Sequence, residues 1–156
     1  MTTPAPTRPD GLWLDDLNEG MTFVSDACEL TTEAIIAFAT EFDPQPFHTG
    51  PEAAEGTFFG GLVASGWHTA AITMRLLVNA LPMATGIVGG GGELNWPSAA
   101  KAGDILRVEG VVTQITRSRS HPEQAWVVVE HRTLNQHDQV RQTNIGRLLA
   151  WQRPPI

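Results

Sequence analysis

Ser65-Gly66-Trp67-His68-Thr69-Ala70-Ala71-Ile72-Thr73-Met74-Arg75-Leu76-Leu77-Val78-Asn79-Ala80-Leu81-Pro82 reads as one long helix with both ends marked. Ala70, Ala71, Met74, Leu77, Val78 and Leu81 recur at the spacing that gathers apolar side chains on one helical face. Ser65 is the natural N-cap, and Pro82 cannot continue the helix. Polar interruptions at His68, Thr69, Thr73, Arg75 and Asn79 rule out a membrane span, which needs roughly 18 apolar residues. The helix therefore needs a protein surface to cover its apolar side.

That surface is predicted on the C-terminal side, where the pattern turns to β. Segments 86–96, 105–116, 125–134 and 140–151 are separated by Pro97-Ser98, Ser120-His121-Pro122-Glu123 and Asn135-Gln136-His137-Asp138. Such short connections favour antiparallel neighbours. Leu106, Val108 and Val112 alternate with Arg107 and Glu109 before the phase moves to Val111 and Ile115, which predicts a bulge at Gly110.

On the N-terminal side, Ile35, Phe38, Ala39 and Phe42 predict a helix from Thr31 to Asp43, capped by Thr31 or Thr32 and ended by Pro44. A further strand is expected near 23–30. Segment 49–64, with Phe58-Phe59-Gly60-Gly61 at its centre, is expected as an ordered loop over a pocket, although its composition fits an ordinary surface loop equally well. Strand, helix, connection, long helix and strand meander give an α+β domain, an antiparallel sheet of about five strands curled around the long helix. This is the element order of the hotdog fold. Its uncovered sheet edges predict a homodimer or higher homo-oligomer.

At 156 residues the chain fits a flexible, proline-rich arm (1–10) and a single domain (11–156). A net charge of −7 argues against a general nucleic-acid binder. The lone Cys28, expected as a small buried hydrophobe, excludes an internal disulfide framework or a Cys-rich zinc site. With no signal-like apolar segment, a cytoplasmic protein without membrane association is expected.

Asp43-Pro44-Gln45-Pro46-Phe47-His48 sets a carboxylate and an imidazole five positions apart in a segment stiffened by two prolines. Taken alone, Asp43 is most simply a helix terminator and His48 a loop histidine. His68 reads as a structural helix residue, and His121, His131 and His137 as surface residues. None has metal-ligand spacing. Gly89-Gly90-Gly91-Gly92 lacks the Lys-Ser or Lys-Thr of a phosphate loop, so it is read as room for a helix or an acyl chain to approach the backbone. Arg117 and Arg119 fit a phosphate contact or a solvated strand end equally.

Phe38-Ala39-Thr40-Glu41-Phe42-Asp43-Pro44-Gln45-Pro46-Phe47-His48, followed by Gly60-Gly61-Leu62-Val63-Ala64-Ser65-Gly66, resembles the MaoC-like dehydratases. Their signature is Asp-x-Asn-Pro-x-His followed by a glycine at the start of the central helix, and the family includes R-specific enoyl-CoA hydratases. The likeness runs from the first helix through Ala102-Gly103-Asp104. It implies a hydro-lyase that interconverts a trans-2-enoyl thioester and a 3-hydroxyacyl thioester, R-specific, with an acyl-CoA substrate and no cofactor or metal beyond the coenzyme A of that substrate. Asp43 and His48 then hold one water, and the Gly66 backbone N–H stabilises the enolate oxygen. Ser65, Phe47, Phe58, Phe59 and Trp67 are the expected substrate contacts. The chain departs from the pattern at Gln45 (commonly Asn), Phe47 (aliphatic), Gly50 (acidic) and Ser65 (frequently His). A hotdog thioesterase, and a non-catalytic acyl-thioester binder or structural subunit, are the competing readings.

Overall fold

The computed structural model describes residues 3–155, so Met1 and Thr2 of the expected arm and Ile156 of the expected domain lie outside the described residues. Thr31 Oγ1 accepts the Ala34 N–H at 3.2 Å and starts α1 (Thr32–Phe42). Pro44 stops it, and Ile35 and Ala39 are its buried positions. Prolines also open two single-turn helices, α2 (Pro46–Thr49) and α3 (Pro51–Ala54), where an unbroken loop was expected from residue 49. Proline suits the first turn of a helix because the N–H it lacks has no partner there in any case.

The long helix, α4 (Gly66–Ala80), has the expected ends. Its buried face is rotated from the expected one: Thr69, Ile72, Thr73, Leu76 and Leu77 point inward, while Ala71 and Met74 are exposed. The threonines tolerate burial because they find partners, the Thr73 and Thr133 hydroxyls lying 2.6 Å apart.

Six strands form the sheet: β1 (Thr22–Val24), β2 (Cys28–Glu29), β3 (Val88–Asn95), β4 (Ile105–Arg117), β5 (Gln124–Leu134) and β6 (Val140–Trp151). Their order is β1-β4-β5-β6-β3, with β2 also on β4, and every strand pairing among them is antiparallel. This is the α+β hotdog architecture, with α4 against the inner face of the sheet. The single strand expected near 23–30 is split because Ser25 leaves the ladder, its Oγ taking the Val108 N–H at 2.8 Å. Among the described residues no helix is long and apolar enough to cross a membrane. Within the expected arm, the Thr7 and Arg8 N–H groups both donate to Ala84 O.

The bulge sits three residues beyond Gly110. Pairing passes from Val112↔Val129 to Gln114↔Val128, which leaves Thr113 as the extra residue. Gly110 has another cause: a Cβ there would overlap the buried Phe23 ring. Gly110→Val is expected to destabilise the protein by about 1–3 kcal/mol through overpacking, read as a lower urea midpoint.

The inner face of β5 carries residues 125, 127, 129, 131 and 133. His131 is therefore buried, contrary to the surface position expected for it, whereas His121 and His137 are exposed. Beside the apolar core, Arg141 and Asp104 form a buried ion pair with Nε to Oδ2 at 2.8 Å. Arg141 Nη1 also donates to Ser98 Oγ and so ties down the segment between β3 and β4.

Candidate active site

Pro44 and Pro46 turn the chain sharply between α1 and α2 and bring Asp43 beside His48. The His48 side chain is buried, with Nδ1 2.6 Å from the carbonyl oxygen of Val63. A carbonyl can only accept, so Nδ1 carries a proton, and when the ring is neutral its lone pair is at Nε2. That nitrogen lies 3.4 Å from Asp43 Oδ2. Two acceptors therefore face the same small space, and a water there can donate one hydrogen to each.

Asp43 is braced from two other sides. The Ser65 hydroxyl donates to Oδ2 at 2.7 Å and the Gln45 amide to Oδ1 at 2.6 Å. Burial alone raises the carboxyl pKa, but the bonds from Ser65 and Gln45 outweigh it, with a protonated His48 acting in the same direction, and Asp43 is held below the usual carboxylate value. Asp43 is thus ionised at neutral pH. Its contribution to stability is present above the unfolded pKa and lost as pH falls through the folded one. Ser65→Ala removes a lowering bond, so the acid limb of the pH–rate profile is expected to move to higher pH; an unmoved limb would refute the brace. The same change removes the N-cap bond to the Trp67 N–H, at a cost of about 0.5–2 kcal/mol in denaturant unfolding.

Because Ser65 caps α4, Gly66 opens its first turn. The Gly66 N–H has no protein acceptor among the described residues, as expected for a first-turn donor at the positive end of a helix. Glycine is required because a Cβ here would lie 2.6 Å from Cε2 of Trp96, whose ring covers the position. A cavity of about 320 Å³ opens beside it, lined by Phe47, His48, Phe59, Gly66, Thr69 and Trp96 among others.

Of the expected substrate contacts, Phe47 and Phe59 lie in this wall, 5.2 Å apart between ring centroids. Ser65 stands behind it, on Asp43. Phe58 is 94% exposed and touches Phe59 from outside, while Trp67 is 62% exposed and packs edge-on against Trp96. Neither Phe58 nor Trp67 is part of the cavity wall. His68 turns toward α1, stacked on Phe38 at 4.6 Å, and burial followed by the Arg75 charge lowers its pKa. Thr69, Ser98 and the Val63 carbonyl join the site without having been expected. A backbone acceptor has no residue type to signal it, and Ser98 reads in sequence as an ordinary turn residue. Among the described residues, no group of three or more His, Cys, Asp or Glu side chains is placed to hold a metal ion.

A sheet wrapped on one helix, with an Asp/His pair facing that helix's N-terminus, places the chain in a recognisable class. Residues 18–133 match the MaoC like domain, and the chain belongs to that family. It is similar to a MaoC-like dehydratase from Rhodospirillum rubrum, 51% identical with a TM-score of 0.91 over 93% of this chain and 100% of that one. The R-hydratase PhaJ1 from Pseudomonas aeruginosa shares the fold, at 20% identity and a TM-score of 0.72 over 94% and 96% of the two chains. The uncharacterized protein YdeM of Bacillus subtilis is 37% identical over 65 residues, 42% of this chain and 46% of that protein.

Proposed function

We propose that the protein is a hydro-lyase that adds water to a trans-2-enoyl-CoA to give the 3-hydroxyacyl-CoA, and catalyses the reverse. One observation carries this reading: His48 Nε2 and the Asp43 carboxylate lie 3.4 Å apart, and His48 shares a cavity with Gly66, whose N–H has no acceptor among the described residues. Adding water to a conjugated thioester needs a proton acceptor at the water, a proton at the α-carbon, and a donor for the enolate oxygen. Each has a residue.

In this reading the water donates to Asp43 and to His48 and attacks the β-carbon. The π electrons move toward the thioester oxygen, which the Gly66 N–H stabilises. Such a donor is worth about 3–4 kcal/mol in the transition state. The hydrogen bonds that keep Asp43 ionised also weaken it as a base, while an imidazole is intrinsically the stronger one, so the two groups act together. The proton taken from water is returned to the α-carbon, the enolate collapses to the thioester, and the sum is addition of one water. Delivery from one side of the substrate supports a single stereoisomer, and likeness to an R-hydratase supports R. The unpaired outer edge of β3, with Val88 exposed, supports a homodimer.

Crotonyl-CoA tests the reaction. Loss of the conjugated enoyl absorbance without release of free thiol is expected. Thiol release in its place would make the protein a thioesterase, and saturable binding with neither signal would make it a non-catalytic binder.

A further inference from the structure

Trp96 follows β3 directly, yet its ring lies against another element, the first turn of α4. A Cβ built on Gly66 would come within 2.6–2.9 Å of three atoms of the indole, so the ring rests on the Gly66 Cα itself. The next residue of that turn, Trp67, meets the same indole edge-on, with ring centroids 5.2 Å apart. We propose, on the basis of the hydratase reading above, that Trp96 is a positioning residue: it holds the first turn of α4 and thereby aims the Gly66 N–H at the thioester oxygen.

This helix end needs such a support. A donor stabilises an enolate only if its direction is fixed before the reaction, and a misplacement of about 1 Å forfeits much of the benefit. Glycine is the residue least able to fix its own backbone, at about 0.5–1 kcal/mol relative to alanine in a helix. The Ser65 cap takes the Trp67 N–H, which leaves the Gly66 N–H without an acceptor among the described residues and its Cα without a side chain to anchor it. The indole supplies the missing contact.

The indole is itself fixed from the sheet. Asn95 pairs with Thr143, so Trp96 stands one step beyond, opposite Gln142, and its Nε1 donates to Gln142 Oε1 at 3.0 Å. Gln142 is only 2% exposed, which makes it a rigid anchor. Pro97 keeps Trp96 in an extended conformation. Burial in the core does not account for the indole, which is 40% exposed. Its contacts are Gln142 at one end, the first turn of α4 on its face and edge, and the cavity that Gly66 shares with His48. Support therefore runs from β6 through one hydrogen bond and one ring to the backbone of Gly66.

Steady-state kinetics with crotonyl-CoA, on variants checked for folding by circular dichroism, test the assignment. Trp96→Ala is expected to lower kcat about 100-fold, the loss for a misplacement of about 1 Å, with little change in KM. Trp96→Phe keeps a ring on Gly66 and is expected to restore most of that loss. Gln142→Met loosens the indole without removing it and gives the same test, at a loss of about tenfold, should Trp96→Ala fail to fold. Gly66→Ala retains the backbone N–H but drives a methyl into the indole, so it is expected to lower kcat by about tenfold or more in otherwise wild-type protein. In Trp96→Ala protein the same change meets open space and stiffens the turn, and is expected to leave kcat unchanged or raise it. A carbonyl-labelled crotonyl-CoA bound to the slow Asp43→Asn variant reads the donor directly: its infrared carbonyl stretch is expected below the free value, and to move back toward it when Trp96→Ala is added. A folded Trp96→Ala protein with wild-type kcat, a loss confined to KM, a loss that Trp96→Phe does not restore, equal losses from Gly66→Ala in both backgrounds, or an unmoved carbonyl stretch would each overturn the role of Trp96 and leave the hydratase reading standing. No hydration by the wild-type protein would overturn both.

Discussion

Asp43→Asn is expected to lower kcat for crotonyl-CoA hydration by about 100- to 10,000-fold, the range for losing a positioned acid–base group. The amide matches the carboxylate in size and can still accept from Ser65, so the turn between α1 and α2 should keep its shape. What it lacks is the charge: the oxygen that accepts from Ser65 is the one that faces His48 Nε2 across 3.4 Å, and as a neutral amide oxygen it is far too weak a base to take the water's proton. KM is expected to change little, because Asp43 acts on the water. Steady-state kinetics with circular dichroism as the control for folding decides the matter: a folded variant with wild-type kcat would remove Asp43 from the mechanism. His48→Gln probes the same pair from its other member and should also fail in kcat.

Asp104→Ala is expected to cost about 3–5 kcal/mol of stability, the range for breaking a buried ion pair by removing one partner. Against a total of about 5–15 kcal/mol for a folded domain this is a large fraction. Both side chains are only 8% exposed, and Arg141 grips both carboxylate oxygens, Nε to Oδ2 and Nη2 to Oδ1. The Asn135 amide and the Lys101 N–H complete the set around Asp104. Burial by itself raises the Asp104 pKa, but these bonds and the Arg141 charge outweigh it, so the folded pKa lies below the unfolded one. The stabilisation is accordingly full above the unfolded value and lost as pH falls through the folded value. Urea unfolding across acidic pH checks both points. Truncating Arg141 together with Asp104 should recover part of the loss, because no charge is then stranded. Since Arg141 also holds Ser98, which lines the cavity beside His48 and Gly66, surviving Asp104→Ala protein should show a raised KM if that cavity takes the substrate.

The parts of this fold that a one-dimensional reading reached are those set by local chemistry. Thr31, Ser65, Pro44 and Pro82 mark helix ends because capping and proline geometry act within a few residues. The strand meander followed from turn residues at short intervals. What escaped depended on pairing between distant segments. The rotated face of α4 follows from Thr73 meeting Thr133, and the burial of His131 from the side of β5 that β4 and β6 leave facing inward. The bulge at Thr113 is fixed by register with Val128 and Val129, while Gly110 answers to Phe23 across the β1–β4 pair. At the candidate site the same division holds. Asp43, His48 and Gly66 came forward as candidates only through the likeness to the family's motif, and two prolines and a helix start are what hold them near one another. The Val63 carbonyl that binds His48 Nδ1, and the Gln142 amide that holds the Trp96 ring lying over Gly66, come from 15 and 46 residues away.

The most direct test of the catalytic arrangement is a crystal structure with a non-reacting enoyl-CoA analogue bound. The proposed mechanism places the thioester oxygen about 2.7–3.1 Å from the Gly66 nitrogen, with the β-carbon turned toward Asp43 and His48. A thioester oxygen turned away from Gly66, or a β-carbon on the far side of the cavity from the Asp/His pair, would contradict it.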